Sequence, residues 1–312
     1  MELAAPVALV FPGQGVQRAG MGEQLHRRYP VARQVFERAE RVCGLPLRRL
    51  CFEGPEAELN RTANLQPAVF TVSWAAFEVY REQHDLDHVR LTAGHSLGEI
   101  AAVSAAGALD WEAGLALVLE RGRLMAEAAH ARPGGMLAIV GLPQATVGRI
   151  RTEAAAHGGV WIANHNADRQ FVLSGEHPAL AVAQELALAA GARRALLLTI
   201  PLPAHSPLMA SAAPAFRLLV DQLPLRAPRV PVLTNCAGRA VRTASGLRQE
   251  LGGHLLRPVD WAQTMAGLQR RSVRTVVELG PGRVLASLAA KHMPGVETWN
   301  ADELFLDPAR AA

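Results

Sequence analysis

Leu91-Thr92-Ala93-Gly94-His95-Ser96-Leu97-Gly98-Glu99-Ile100 is the stretch that decides how this chain is read. Its centre is Gly-x-Ser-x-Gly, with a short apolar approach before it and an alanine-rich helical run, residues 100–108, after it. A strand that ends, turns sharply and starts a helix at a serine is a nucleophile elbow. The two glycines remove side chains that would collide across so tight a turn. The hydroxyl is then held out above a sheet, near the positive end of the helix, where an oxyanion is stabilised. An ordinary strand-to-helix turn has the same spacing, so the rest of the chain must decide.

Working outward, Val7-Ala8-Leu9-Val10-Phe11 is a short apolar run followed by Pro12-Gly13-Gln14-Gly15, a buried strand ending in a turn. A first strand of this kind puts its trailing loop at the carboxyl edge of a parallel sheet, where α/β proteins place their sites. Gln14 can then aim an amide at the nucleophile, or be a plain turn residue. Residues 30–42 and 67–83 show helical periodicity. His84-Asp85-Leu86-Asp87-His88 has no third metal ligand nearby and fits a polar surface loop. After the elbow, residues 111–129 form a long helix in which Gly114, Leu117, Val118, Arg121 and Met125 share one stripe. Arg121 therefore lies in an apolar face, and burying an unpaired guanidinium is expensive. It either pairs with a carboxylate from another element or awaits an anionic ligand.

From residue 135 to 198 the pattern changes to strand 136–140, helix 143–156, strand 160–164, strand 171–174, helix 178–190, strand 195–199. That β-α-β-β-α-β order is ferredoxin-like, a small subdomain set into a larger one. Arg132-Pro133-Gly134-Gly135 and Pro201-Leu202-Pro203 flank it as hinges. A cleft between the two units is the expected ligand site. His205, just after the second hinge at the start of another helix, is a candidate base for Ser96, although a loop histidine is also a common structural residue. Strands at 232–233 and 275–279 and helices at 249–256 and 283–290 follow, and the last dozen residues read as a tail.

The 312 residues suit a main domain plus a subdomain. Half are hydrophobic and 19% charged, which excludes a disordered chain. No apolar run reaches the ~20 residues of a membrane span, and residues 1–11 lack the basic start of a signal peptide. Three cysteines, Cys43, Cys51 and Cys236, without Cys-x-x-Cys spacing, point to free thiols and a cytoplasmic protein. The formal net charge is +4, with Lys291 the only lysine. The arginines are scattered, so nucleic acid is not expected as a partner, and an anionic small molecule or an acidic protein suits them better.

Several motifs now stand in order. They run from Phe11-Pro12-Gly13-Gln14-Gly15 through Gly94-His95-Ser96-Leu97-Gly98-Glu99, Arg121-Gly122, Met125 and Asn164-x-Asn166. They continue through Gly191-Ala192-Arg193-Arg194, Pro203-Ala204-His205 and Pro258-Val259-Asp260-Trp261 to Glu278-Leu279-Gly280-Pro281-Gly282. In these the chain resembles the malonyl-CoA:acyl carrier protein transacylases and the related acyltransferase domains of polyketide synthases, over nearly its whole length. The resemblance implies that Ser96 is acylated and that His205 is its general base and acid. It implies an oxyanion hole of Gln14 and the Leu97 N–H, and gives Arg121 the free carboxylate of malonyl. By the same likeness His95, Met125, Met136, Asn164 and Ala204 line the acyl pocket, and Arg194 lies near the phosphates of coenzyme A or the carrier. Seven residues before Trp261, where this family has glutamine or asparagine, stands His254. That position is taken to orient the catalytic histidine through its backbone carbonyl, a role His254 is expected to keep.

The expected fold is α/β, with an α/β-hydrolase-like large domain (1–130 and 199–312) carrying an inserted ferredoxin-like subdomain (131–198). The expected reaction is ping-pong transfer of malonyl from coenzyme A to the phosphopantetheine thiol of an acyl carrier protein. No cofactor, metal or membrane is implied, and a monomer is expected. Three rivals use the same motifs. A thioester hydrolase runs Ser…Asp/Glu…His and would draw on Asp110 or Asp168. A malonate decarboxylase needs a malonyl-loading subunit of this chemistry. A docking subunit would keep the fold without turnover.

Overall fold

The computed structural model describes residues 3–200 and 202–306. Along them run the strands β1 (Val7–Phe11), β2 (Val89–Gly94), β3 (Gly135–Val140), β4 (Val160–Ala167), β5 (Gln170–Gly175) and β6 (Arg194–Leu197). Then come β7 (Val232–Leu233), β8 (Ala240–Val241), β9 (Val259–Asp260), β10 (Thr275–Glu278) and β11 (Glu297–Asn300). They form two sheets.

The larger sheet has the order β11-β10-β1-β2-β7-β8. All its pairings are parallel except β7 with β8. β1 lies between β10 and β2, and all five of its residues are buried. A strand covered on both faces reads as an unbroken apolar run, which is why the Val7–Phe11 segment shows no alternation. Leu9 and Phe11 pack with the helices Thr62–Gln83 and Trp111–Ala131 on one side, while Ala8 and Val10 pack with Trp261, Leu285 and Ala289 on the other.

The smaller sheet has the order β6-β3-β5-β4-β9, and its first four strands are antiparallel. With helices Gln144–Ala154 and His177–Ala189 between them, β3 to β6 have the ferredoxin-like topology. The strand period of two divides their side chains. Leu137, Ile139 and Leu173 meet the two helices in a separate core, whereas Met136 and Val172 join the core of the larger unit. β9, which lies beyond residue 198, adds a fifth strand in parallel to β4.

Several boundaries differ from the sequence reading. The helix expected from Pro67 begins at Thr62 and keeps Pro67 inside it. Proline favours a first turn because it lacks an N–H, yet here seventeen residues of the helix are buried and packing outweighs the lost bond. The helix expected over 249–256 spans Ala244–Gly252, capped by the Thr243 hydroxyl on the Gly246 N–H. The expected tail instead begins with the helix Ala301–Phe305, started by a capping box between Asn300 and Glu303, and β11, which the sequence reading did not include, runs up to it. Pro201 of the second hinge and the tail beyond residue 306 lie outside the described residues. None of the described helices is long and apolar enough to cross a membrane.

Candidate active site

Ser96 sits at the end of β2, where the chain turns into the helix Gly98–Ala105. The turn is as tight as the sequence implies. A Cβ on Gly94 would run into the backbone of Gly98, and one on Gly98 into the backbone of Phe11 in β1. Ser96 has φ 50°, a left-handed conformation that a side-chain-bearing residue adopts at a cost of roughly 1–3 kcal/mol.

His205 reaches the same point from the far side of the site, also at positive φ, 56°. Its turn is fixed by Ser206, whose buried hydroxyl donates to the Pro203 carbonyl at 2.7 Å and accepts from the Leu208 N–H. His205 Nε2 lies 2.7 Å from Ser96 Oγ, and Nδ1 lies 2.9 Å from the carbonyl oxygen of Arg257. The second bond puts the proton on Nδ1 and leaves Nε2 to accept from the serine hydroxyl. Burial, then the positive charges of Arg121 and His95 when protonated, push the His205 pKa down to about 3. The imidazole is therefore a neutral base at neutral pH.

The bonded carbonyl corrects one expectation. It belongs to Arg257, not to His254, although the His254 backbone also favours the protonated ring. Arg257 is held in turn by Glu250, through an ion pair of 3.0 Å and a 2.6 Å bond to the Glu250 carbonyl. The loop after Gly252 thus brings residue 257, three positions beyond His254, up to the ring. The His254 side chain lies behind it, ring centroids 6.0 Å apart.

Arg121 is fully buried on the helix Trp111–Ala131, in the stripe its spacing implies. It meets no carboxylate within ion-pair distance among the described residues. Nη1 donates to Gln66 Oε1 at 2.8 Å and Nη2 to Ser96 Oγ at 3.2 Å, while Nε has no partner. Burial lowers its pKa to about 10, opposed by Glu99, so it stays charged at neutral pH. A buried guanidinium satisfied only by neutral oxygens is a receptor for a carboxylate.

Next to the elbow, at His95, is a cleft of about 240 Å³ between the two sheets, walled in part by Gln14, His95, Asn164, Asn166, Gln170 and Thr199. Gln14 Oε1 and Asn164 Oδ1 are buried without a hydrogen-bond partner among the described residues. The Leu97 N–H is engaged by no described residue. His95 bonds Asn166 Oδ1 through Nε2 at 2.9 Å and rests against Trp261. Met125 takes a contact from Gln66 Nε2 at 3.5 Å, and Met125, Met136 and Ala204 share one buried apolar cluster. Arg194 stands apart, exposed on the edge strand β6. Asp110 caps the helix Trp111–Ala131 and Asp168 is an exposed residue, so neither touches His205.

Three participants were not expected from the sequence: Gln66, Arg257 and Asn235, whose Oδ1 accepts from the Ser96 N–H at 2.8 Å. Gln66 would have been found by starting its helix at Thr62, which puts it inside that helix. Arg257 acts through its backbone, which no side-chain pattern reveals.

This arrangement, a strained serine paired with a neutral histidine and overlooked by a buried arginine, is that of an acyl-transferring enzyme. The acyl transferase domain model matches residues 8–298, and the chain belongs to that family. Within it, the chain is 36% identical over 305 residues to the malonyl CoA-acyl carrier protein transacylase of Escherichia coli O157:H7, covering 98% of this chain and 97% of the relative. It also superposes on the malonyl-CoA:acyl carrier protein transacylase of Xanthomonas oryzae pv. oryzae with TM-score 0.92 and 34% identity, over 99% and 97% of the two chains. A further match is PlMCAT, a malonyl-transacylase solved with AntF, its type II polyketide acyl-carrier protein, at TM-score 0.90 and 36% identity over 94% and 95%.

Proposed function

We propose that this chain is a malonyl-CoA:acyl carrier protein transacylase acting through a Ser96 acyl-enzyme. The observation that carries the reading is the convergence on Ser96 Oγ of His205 Nε2 at 2.7 Å and Arg121 Nη2 at 3.2 Å. His205 removes the Oγ proton as Oγ attacks the thioester carbonyl, and the negative oxygen is held by the Leu97 N–H and Gln14. The C–S bond then breaks, and His205 returns the proton to the departing coenzyme A thiolate. Malonyl remains as an ester on Ser96, its free carboxylate against the Arg121 fork. A phosphopantetheine thiol of the carrier protein reverses these steps. His205 is neutral at neutral pH and so is free to accept the Oγ proton, and its tautomer is set by the Arg257 carbonyl.

Asp110 and Asp168 lie away from His205, which speaks against the hydrolase reading. His95, Met125, Met136, Asn164 and Ala204 would shape the acyl pocket, and Arg194 would meet carrier or coenzyme phosphates at the rim. We assign residues 131–198 to the inserted subdomain and 1–130 with 199–312 to the large one. The three thiols are free, in keeping with a cytoplasmic protein. The test is a panel of acyl-CoA donors offered to the purified protein, scored by the mass of the Ser96 adduct. Malonyl should dominate, and an adduct pattern led by acetyl would overturn the reading.

A further inference from the structure

The amide of Ser96 is bonded to a buried side chain. It donates to Asn235 Oδ1 at 2.8 Å, and the Asn235 N–H donates to Glu99 Oε1 at 2.9 Å. Glu99 Oε2 in turn lies 3.4 Å from His254 Nε2. All four residues are at least 95% buried. Glu99 stands three residues after Ser96 and donates its own N–H to the Ser96 carbonyl at 2.8 Å. In a simple capping box an acidic side chain at that spacing would reach back to the first residue's amide directly. Here Asn235, from the segment after β7, is interposed between the two.

The interposition has a geometric consequence. Left-handed backbone at a non-glycine residue persists only where its surroundings over-determine it. Asn235 supplies that constraint from the turn after β7, and Glu99 fixes Asn235. With the Ser96 amide committed, Leu97 is the elbow residue whose N–H is left for a substrate oxygen. We propose that Asn235 and Glu99 are positioning residues for the nucleophile, and that they set the rate of Ser96 acylation without contacting substrate.

The groups facing Glu99 are His254, Glu250, Arg257 and Arg121; burial and Glu250 favour its neutral form. Burial and Arg121 likewise keep His254 neutral.

This inference rests on Ser96 being the acylated residue, and the experiment separates the two. Single-turnover acylation by malonyl-CoA is followed by peptide mass for wild type, Asn235→Ala, Glu99→Ala, Glu99→Gln and the double alanine variant, with thermal unfolding recorded for each. Absence of a Ser96 adduct in wild type would remove the underlying reading and this inference with it. Given that adduct, Asn235→Ala should lower the maximal acylation rate by about tenfold to a hundredfold, the scale of a small misplacement of a reacting group. The malonyl-CoA concentration at half-saturation should stay near the wild-type value. Glu99→Gln keeps an oxygen to accept from the Asn235 N–H and should react close to wild type, while Glu99→Ala falls with Asn235→Ala. The double variant should be no slower than the slower single one, since one chain is broken once. A folded Asn235→Ala that acylates at the wild-type rate would overturn the proposal. If Asn235→Ala does not fold, the two Glu99 variants decide: equal rates in glutamine and alanine overturn it.

Discussion

The two sheets contribute to the site in opposite ways. The larger one delivers Ser96 from the end of β2, buried and at positive φ, and the elements packed on it hold Arg121 and His205 in place. Ser96 and His205 are satisfied by each other and by the Arg257 carbonyl, while Arg121 Nε and Gln14 Oε1 have no hydrogen-bond partner among the described residues. The smaller sheet delivers a polar wall, Asn164, Asn166 and Gln170, in which Asn164 Oδ1 has no hydrogen-bond partner among the described residues. Reacting groups thus sit where the backbone is over-determined, and recognition groups sit where hydrogen-bonding capacity is left over. A thioester entering this cleft would be read by the small sheet and attacked from the large one.

That division is broken most severely at His205. His205→Ala should lower acylation by about 10²–10⁴-fold, the usual worth of a general base. Rapid-quench acylation would show it, and a near-normal rate would take the large-sheet centre apart. Arg121→Ala comes next. Leaving one member of a buried charged pair unmatched costs roughly 2–5 kcal/mol, so malonyl transfer should drop about thirtyfold or more. The preference over acetyl should narrow or reverse as well, because the unpaired charge that penalises acetyl is gone. Competition between the two donors measures this directly, and an unchanged ratio would make Arg121 structural only.

A pH profile sharpens the same contrast. His205 has its pKa lowered from 6.5 to about 3, so kcat/KM should show no acid limb near 6.5. A limb at 6.5 would mean that the ring is wetter than its burial implies. The linkage to stability has a definite sign. A depressed histidine binds fewer protons folded than unfolded, so its contribution is present above pH 6.5 and is lost as pH falls toward 3. Glu278 behaves oppositely. Burial raises it from 4.5 to about 7, so its contribution is present below 4.5 and lost as pH rises through 7. Glu278→Gln should flatten that decline in denaturant midpoints above pH 5. The smallest effect belongs to the rim. Arg193 and Arg194 precede and begin the edge strand β6, and carrier-dependent turnover should weaken with salt as exposed charges are screened within ~10 Å at 0.1 M. A flat salt profile would remove charge from the docking step.

Much of the large-sheet centre was legible in the sequence because each part has a local signature. Gly94 and Gly98 mark the turn around Ser96, and the helical phase of Arg121 with Leu117, Val118 and Met125 puts it inside. The β-α-β-β-α-β order of residues 135–198 needs only the alternation of periods. What escaped was built across long separations or from backbone. Asn235 meets Ser96 over 139 residues of chain, and the carbonyl on His205 Nδ1 comes from Arg257, whose side chain gives no hint of it. Residue 254 was singled out because it departs from the family's pattern, but a carbonyl's aim depends on how the loop after Gly252 closes. Gln66 was missed because Pro67 looks like a helix start, and only the packing of the finished helix overrules it.

The most direct test of the account is to mix wild-type protein with malonyl-CoA, quench, and map the modified peptide, then repeat after adding phosphopantetheinylated carrier protein. The account predicts one malonyl group on Ser96, absent in Ser96→Ala, and its disappearance as malonyl appears on the carrier thiol. A wild-type protein that carries no adduct, carries it on another residue, or loses it to water as fast without carrier as with it would contradict the account.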